Sequence, residues 1–221
     1  MSRPGFRLTA LLLFTALVVA GCNKTEEFKP VKYDYNFKPD LPSLAKQFLD
    51  NPPEAKTRKV ASDKMPLTFI DMDGKKVDLS EYKGKSNVVL VMTKGMPQAP
   101  GGVFCPGCLA QMNAMVNNIA EFKKRDAEVV VVFPGPSDKA GEFLTTAKAR
   151  EGDKASPIPL LLDKDMAAVT LLGIDGDRAK PSTYILDRKG NVVYAYVGEH
   201  TTDRPSVKAL LSRLDKLNEK Q

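Results

Sequence analysis

Short apolar runs, some of them separated by turn residues, predict the strands of this chain. Short runs at residues 67–70 and 76–79 flank Asp73 and Gly74, a dipeptide typical of a hairpin turn. Residues 88–92 and 128–133 are apolar almost without interruption, as central strands buried on both faces are. We therefore expect an N-terminal hairpin followed by a sheet with at least two buried strands.

Helical spacing predicts the layers that cover this sheet. Apolar residues recur at helical intervals from Leu109 to Phe122, and Ser137 is a candidate cap for a helix that continues to residue 147. The remaining predicted elements are a strand at 159–162, a short helix at 166–172, a hairpin of 182–186 with 192–197, and a last helix that begins near Asp203 and Pro205. This order predicts an α/β fold, with a mixed sheet flanked by helices on both faces.

The chain divides into three parts by composition. Residues 1–21 read as a signal peptide, 22–62 as a tether or N-terminal arm, and 63–221 as the folded domain. Five prolines interrupt the arm, although residues 43–49 could form one or two helical turns. Tyr33, Tyr35 and Phe37 alternate within it, which favours partial ordering against the domain and no chemistry.

Charge excludes one class of partner. The formal net charge is +6, and its lysines are scattered. No basic stripe with interleaved aromatic residues is present, so we expect no binding to nucleic acid.

The N-terminus predicts export. Arg3 and Arg7 precede an apolar run over residues 8–20, which is short for a membrane span. The run ends in Val19-Ala20-Gly21-Cys22, which resembles the bacterial lipoprotein signal, in which the residue at Cys22 is lipidated. An ordinary signal peptide with Cys22 as a leftover thiol is the alternative. Either way, we expect the cell envelope, with a lipid anchor at Cys22 holding the protein to a membrane on the exported (periplasmic or extracellular) side, where disulfides persist.

The chemistry concentrates at Cys105-Pro106-Gly107-Cys108. Two cysteines at this spacing can close into a disulfide, and we expect Cys105 on the exposed rim of a helix N-terminus. There the free N–H groups and the helix dipole favour a thiolate, which is the attacking species. Cys105 is thus predicted to attack and Cys108 to resolve. A structural disulfide, or half of a zinc site with His200, is the alternative.

Three stretches give the chain a family resemblance. Residues 65–85 look like the opening hairpin of the redoxin group, the Cys105–Cys108 motif is similar to its active site, and residues 180–187 resemble its segment around a cis-proline. The resemblance implies a thioredoxin-like fold over the domain. It also implies that Pro181 is cis and lies against the dithiol, and that Pro181 and Lys180 help to dock a substrate disulfide.

The function implied is that of an exported thiol-disulfide oxidoreductase. Its partners would be protein disulfides or dithiols and an unidentified thiol electron donor, and no metal or organic cofactor is needed. Lys180 and Lys94 are expected to stabilise the Cys105 thiolate. Whether the protein reduces or oxidises its partners is left open.

A peroxiredoxin-type thiol peroxidase is the second interpretation. Peroxiredoxins place Thr or Ser three residues before the reactive cysteine, Pro four before that, and Arg on a late strand. Counted from Cys105, this chain has Gly102 and Gln98 at the first two positions, and counted from Asp187 it has Pro181 at the arginine position. The cations that could replace the missing arginine are Arg178 and Lys180.

A copper-binding thioredoxin-fold chaperone is the third interpretation. The copper proteins of this fold use a longer cysteine spacing, and their histidine comes just before the late hairpin. In this chain His200 follows the last predicted strand, in a loop.

Overall fold

The computed structural model describes residues 38–53, 56, 59–97, 102–152 and 154–220. Seven strands are described: β1 Thr68–Ile70, β2 Lys76–Asp78, β3 Asn87–Met92, β4 Ala127–Phe133, β5 Leu160–Leu162, β6 Ser182–Leu186 and β7 Val192–Val197. Six helices accompany them: α1 Leu41–Ala45, α2 Pro106–Asn117, α3 Ile119–Lys123, α4 Ser137–Thr146, α5 Ala167–Leu171 and α6 Val207–Asn218.

The strands form one mixed sheet in the order β2-β1-β5-β4-β3-β6-β7. Strands β3, β4 and β5 are parallel, whereas β6 runs antiparallel to β3 and the two hairpins close the edges. Both predicted hairpins are confirmed. In the first, the Asp71 side chain accepts the N–H groups of Asp73 and Lys75, at 2.9 and 2.8 Å, which fixes the turn.

Strand β3 is buried along its whole length, as its continuous apolar run predicts. Val89 and Val91 face a core shared with α2, α4 and α6, while Val88, Leu90 and Met92 face a second core that includes residues of α5. Successive side chains of a strand point to opposite faces, so an uninterrupted apolar sequence is needed where both faces are covered.

Two helix predictions need correction. The periodic run from Leu109 to Phe122 is not one helix, because it breaks at Asn118, whose side-chain amide donates to the Ala114 carbonyl at 2.8 Å. Ser137 is the first helical residue and caps nothing, since Pro136 precedes it in an extended conformation. The last helix begins at Val207, and the Ser206 hydroxyl caps it through the Ala209 N–H.

Part of the N-terminal arm packs on the domain. Leu41 and Phe48 are buried in the core that contains α2. Leu49 exchanges backbone hydrogen bonds with the segment before α6, donating to the Arg204 carbonyl and accepting from the Ser206 N–H, both at 2.9 Å. The aromatic positions 33, 35 and 37 and the lipidation candidate Cys22 lie outside the described residues. Among the described helices, none has the length and apolar composition needed to cross a membrane.

Candidate active site

The two cysteines lie where the chain enters α2, at the carboxyl edge of the parallel strands. Cys105 immediately precedes the helix, and its carbonyl accepts the N–H groups of Cys108 and Leu109 at 2.9 and 3.1 Å. Pro106 occupies the first helical position, where its missing N–H costs nothing. The structure thus confirms that the dithiol begins a helix.

The expected exposure of Cys105 is wrong. Its accessible fraction is 5%, and that of Cys108 is 2%. The loop before α6 packs against the helix N-terminus at Gly107, where a Cβ atom would collide with the carbonyl oxygen of Thr201. A glycine at this position therefore allows the loop to approach closely and enclose the thiols.

The two free thiols have opposite acidities. The pKa of Cys105 falls from 9.0 to about 5, chiefly because the Cys108 thiol donates a hydrogen bond to the Cys105 sulfur. The Arg204 charge, the Cys108 backbone N–H and the Lys94 charge lower this pKa further, whereas burial opposes the shift. Burial raises the pKa of Cys108 well above its ordinary value, and its hydrogen bond to Cys105 raises it further. Cys105 is therefore a thiolate near neutral pH, and Cys108 is a thiol that donates to it.

Arg204 joins the two sulfurs. Its Nη2 lies 3.9 Å from the Cys105 sulfur and its Nη1 lies 3.7 Å from the Cys108 sulfur. Nη1 also donates to the Gln111 side-chain oxygen at 2.8 Å, and the Gln111 amide donates in turn to the Thr183 hydroxyl at 3.2 Å. The guanidinium is thereby held over the dithiol by helix α2 and strand β6.

The environment of Arg204 makes it unusual. Its exposed fraction is 1%, and within the described part of the chain no carboxylate forms an ion pair with it. Its Nε has no hydrogen-bond partner there, and its guanidinium lies 5.5 Å from the centre of the Phe48 ring. A buried charge without a counter-ion costs several kcal/mol. The Cys105 thiolate supplies that counter-charge.

A buried carboxylate fixes the loop that carries Arg204. Asp203 accepts the Tyr196 hydroxyl at 2.6 Å, the Lys56 ammonium at 2.8 Å and the Glu199 N–H at 3.0 Å. The hydrogen bonds to Lys56 and Tyr196 lower the pKa of Asp203 against the opposing effect of burial. The carboxylate therefore ties the arm and strand β7 to the residue next to Arg204.

Of the two lysines expected to stabilise the Cys105 thiolate, Lys94 lies beside the thiols and Lys180 does not rank among the main causes of the Cys105 pKa shift. Lys94 lies there, because its N–H donates to the Cys108 sulfur at 3.3 Å and its charge lowers the Cys105 pKa. Lys180 is not among the charges that lower this pKa most, and its N–H donates to the Ile174 carbonyl at 2.8 Å. Its proposed role in docking stays a prediction.

Pro181 is trans, so the expected cis bond is wrong; the described residues contain no cis peptide. The Pro181 carbonyl accepts the Gly198 N–H at 2.8 Å and so extends the ladder between β6 and β7. The chain enters β6 already extended, and a trans bond, the ordinary preference even before proline, satisfies that path. A docking role for Pro181 remains a prediction.

Sequence reasoning missed Arg204 and Gln111. The only signal was an arginine beside a proline, where the chain turns into its last predicted helix. Arg204 is 99 residues from Cys105 in sequence, and no spacing rule connects them. His200 is exposed in the same loop. Among the described residues, no three His, Cys, Asp or Glu side chains are grouped closely enough to hold a metal ion.

Comparison with known proteins places this chain in a family. The family model described as Redoxin matches residues 60–211. Chloroplastic peroxiredoxin Q of Suaeda salsa is 33% identical over 144 residues, which are 62% of this chain and 60% of that relative. Thiol-disulfide oxidoreductase ResA of Bacillus anthracis is 24% identical over 134 residues, 61% of this chain and 67% of the relative. The match therefore spans less than two thirds of the chloroplast protein.

Solved structures agree on the fold. The crystal structure of peroxidoxin BcpB from Mycobacterium tuberculosis superposes with a TM-score of 0.54 and 21% identity, covering 68% of this chain and 92% of its own. A structure of Xanthomonas campestris peroxiredoxin Q covers 72% of this chain and 96% of its own, with a TM-score of 0.54 and 16% identity. The fold is thioredoxin-like, as predicted. The chain belongs to the redoxin family and is an oxidoreductase that works through thiol chemistry.

Proposed function

We propose that this protein is a thiol-disulfide oxidoreductase that exchanges disulfides with exported proteins through Cys105 and Cys108. The observation that carries the proposal is the split in acidity across the pair. A thiolate at Cys105 and a protonated thiol at Cys108 are the states that attack and resolution require.

The exchange balances within the dithiol. The Cys105 thiolate attacks one sulfur of the substrate disulfide, that S–S bond breaks, and the other substrate sulfur leaves as a thiolate. Cys108 then loses its proton to the departing thiolate and attacks the Cys105 sulfur. The substrate sulfur displaced from Cys105 leaves as a thiolate and takes a proton from water, so that the substrate is released as a dithiol, two electrons richer, and the protein retains the Cys105–Cys108 disulfide. An external thiol donor must reduce it for another cycle.

The burial of Cys105 restricts what can react. At an accessible fraction of 5%, Cys105 lies below the surface that the flat face of a folded protein could touch. A substrate protein would have to present its disulfide on a flexible segment. Residues Lys180 and Pro181 are our proposed docking edge for that segment.

The first experiment compares two oxidants on the reduced full-length protein. Hydrogen peroxide and a disulfide-bonded protein are mixed with it separately, and the rate of Cys105 oxidation is followed. Fast exchange with the disulfide, together with a peroxide rate near that of a free thiol of the same pKa, supports the oxidoreductase. A peroxide rate higher by orders of magnitude favours a peroxidase, and failure of both returns the dithiol to a structural role.

A peroxidase is the second candidate, and Arg204 is the observation that favours it. The sequence places no arginine at the expected late-strand position, yet the Arg204 guanidinium lies 3.9 Å from the Cys105 sulfur. A cation there could stabilise the oxygen that departs when a thiolate attacks a peroxide. The attack would give a sulfenic acid at Cys105, and condensation with Cys108 would release water and form the disulfide. Relatives named as peroxiredoxins support the same candidate.

The peroxidase motif can also be counted from Cys108. Three residues before Cys108 is Cys105 and seven before is Gly101, so this register also lacks the expected Thr or Ser and Pro. The raised pKa of Cys108 further disfavours it as the attacking thiolate. Both observations leave disulfide exchange as the better-supported reaction.

We also propose that Cys22 carries a lipid that anchors the protein to a membrane, facing the exported side of the bacterial cell envelope. The support is the signal-like N-terminus alone. Labelling of cells with a palmitate analogue should mark the wild-type protein and leave Cys22→Ser unmarked. Equal labelling of both would contradict the anchor.

A further inference from the structure

A cavity of about 310 Å³ opens at the same sheet edge as the dithiol. Segments that follow three parallel strands line it: Lys94 after β3, Pro134 to Pro136 after β4, and Lys164 with Met166 after β5. Open α/β sheets bind ligands at the carboxyl ends of their strands, where loops diverge and leave a crevice. The position of the cavity is therefore that of a ligand site.

Two of these segments are in direct contact on one side of the cavity. The Met96 N–H donates to the Pro134 carbonyl at 3.2 Å, and Gly95, at φ +73°, lies so close to Pro134 that a Cβ atom would collide with that oxygen. The Gly95 N–H in turn donates to the Thr93 hydroxyl at 3.3 Å. These contacts hold the segments after β3 and β4 against each other on one side of the cavity.

Cations outnumber acids in its lining. Lys94, Lys164 and Arg178 line the cavity, and within the described residues none of them forms an ion pair with a carboxylate. Asp177 is the one acid among the lining residues, and its carboxylate accepts the N–H of Arg178 at 3.0 Å. The nearby carboxylate of Asp163 accepts the N–H groups of Ala168 and Val169. Three cations against one acid leave a net positive cavity.

Arg178 adds an unsatisfied donor. Its Nε is buried and has no hydrogen-bond partner in the described structure. A buried donor left without an acceptor is destabilising, and an anionic oxygen in the cavity would remove that penalty. Met96, Pro97 and Met166 supply apolar surface beside the cations, which suits a short hydrocarbon chain between charged ends.

Lys94 connects the cavity to the thiols, because it is one of the lining residues, its N–H donates to the Cys108 sulfur and its charge lowers the Cys105 pKa. We propose that this cavity binds a carboxylate of the substrate, so that the protein prefers disulfides bearing acidic groups close to the S–S bond, whether in a small molecule or in an acidic peptide segment. This inference rests on the proposed disulfide exchange and names its substrate class. The cations hold the carboxylate while the sulfur meets Cys105.

The test uses three small disulfides that differ in charge: dithiodipropionate, hydroxyethyl disulfide and cystamine, which are anionic, neutral and cationic. Each rate of Cys105 oxidation in the full-length protein is divided by that of a free thiol with the same disulfide. We expect the normalised rate for the anion to exceed that for the neutral disulfide about tenfold, and to fall with added salt. Acidic and neutral disulfide-bonded peptides, tested in the same way, distinguish a peptide source from a small molecule.

Variants assign the preference to the cavity. The double variant Lys164→Gln/Arg178→Gln should lose the anion preference and keep the neutral rate, because neither residue is among the main causes that lower the Cys105 pKa. The matched control, Lys123→Gln/Lys216→Gln, removes the same charge from exposed positions and should keep the preference. If the double variant misfolds, the single variant Lys164→Gln, which changes only an exposed side chain, is used in the same measurement.

A second measurement separates binding from exchange. Dithiodipropionate should slow the acetylation of Lys164 and leave that of Lys123 unchanged. If dithiodipropionate protects Lys164 from acetylation but undergoes no disulfide exchange, the proposed function is refuted and the anion site stands. Exchange without an anion preference, or a preference lost equally in the control variant, would overturn the inference.

Discussion

Replacing Arg204 with methionine removes the buried charge beside the thiols and keeps an unbranched side chain in the same space. The guanidinium lies 3.9 Å from the Cys105 sulfur and 3.7 Å from the Cys108 sulfur. Its charge therefore acts on whichever sulfur is ionised, which is Cys105. Loss of that charge should raise the Cys105 pKa and leave the order of the two pKa values unchanged, because the hydrogen bond from Cys108 is the larger cause.

The size of the effect follows from the distance. An opposite charge within about 4–6 Å lowers a pKa by roughly 1–3. Since the wild-type Cys105 pKa is about 5, the variant should titrate at roughly 6–8. At pH 6 the wild-type thiolate fraction is about 90%, whereas that of the variant falls to between about 1% and 50%. Alkylation at pH 6 should slow accordingly.

Iodoacetamide labelling of Cys105 between pH 4 and 9, read by mass spectrometry of the fragmented peptide, measures this pKa directly. Arg204→Lys is the matched control, since it keeps a cation and loses the planar fork, and its profile should lie between the other two. A methionine variant that folds and has the wild-type profile would refute the assignment of Arg204 as the counter-charge.

Three further predictions use the same site. Because folding lowers the Cys105 pKa, the reduced chain binds more protons when unfolded than when folded between pH 5 and 9. The free energy of unfolding should therefore rise with pH in this range by up to about 1.4 kcal/mol per pH unit, and this gain is lost as the pH falls to 5. Urea titrations at pH 6 and 8 measure this change, and an equal change of the unfolding free energy in Cys105→Ser would contradict the prediction. Gly107→Ala should destabilise the protein by about 1–3 kcal/mol in thermal unfolding, since its Cβ meets the Thr201 carbonyl, whereas Gly141→Ala, where the Cβ has only ordinary contacts, should be neutral or slightly stabilising. Arg204→Met should lower the reduction potential at pH 7 by roughly 30–60 mV in a glutathione titration, because the reduced form loses thiolate stabilisation, and an unchanged potential would contradict it.

The sequence predicts most of the fold because local patterns determine it. The uninterrupted apolar run of β3 requires burial on both faces, and Asp73 with Gly74 specifies a tight turn whatever surrounds it. The dithiol at a helix entry follows from the same local chemistry. These features need no knowledge of which segments meet in space.

The wrong predictions concern features that depend on contacts between segments distant in sequence. Cys105 is buried because the loop at Thr201 packs on Gly107, and Arg204 reaches the Cys105 sulfur from 99 residues away. Neither contact has a sequence spacing that could reveal it. The resemblance predicts a cis-proline, whereas the described chain has a trans bond at Pro181, whose carbonyl accepts the Gly198 N–H.

The N-terminal arm belongs to the active site through Arg204. Phe48 packs against the guanidinium, Leu49 donates to the Arg204 carbonyl, and Lys56 pairs with the neighbouring Asp203. A chain that began at residue 63 would keep both cysteines and lose all three contacts. The counter-charge of the thiolate would then face water, where Coulomb attraction is several times weaker than in the interior. The described part of the segment that composition marks as a tether thus helps to set the acidity of Cys105 through Arg204.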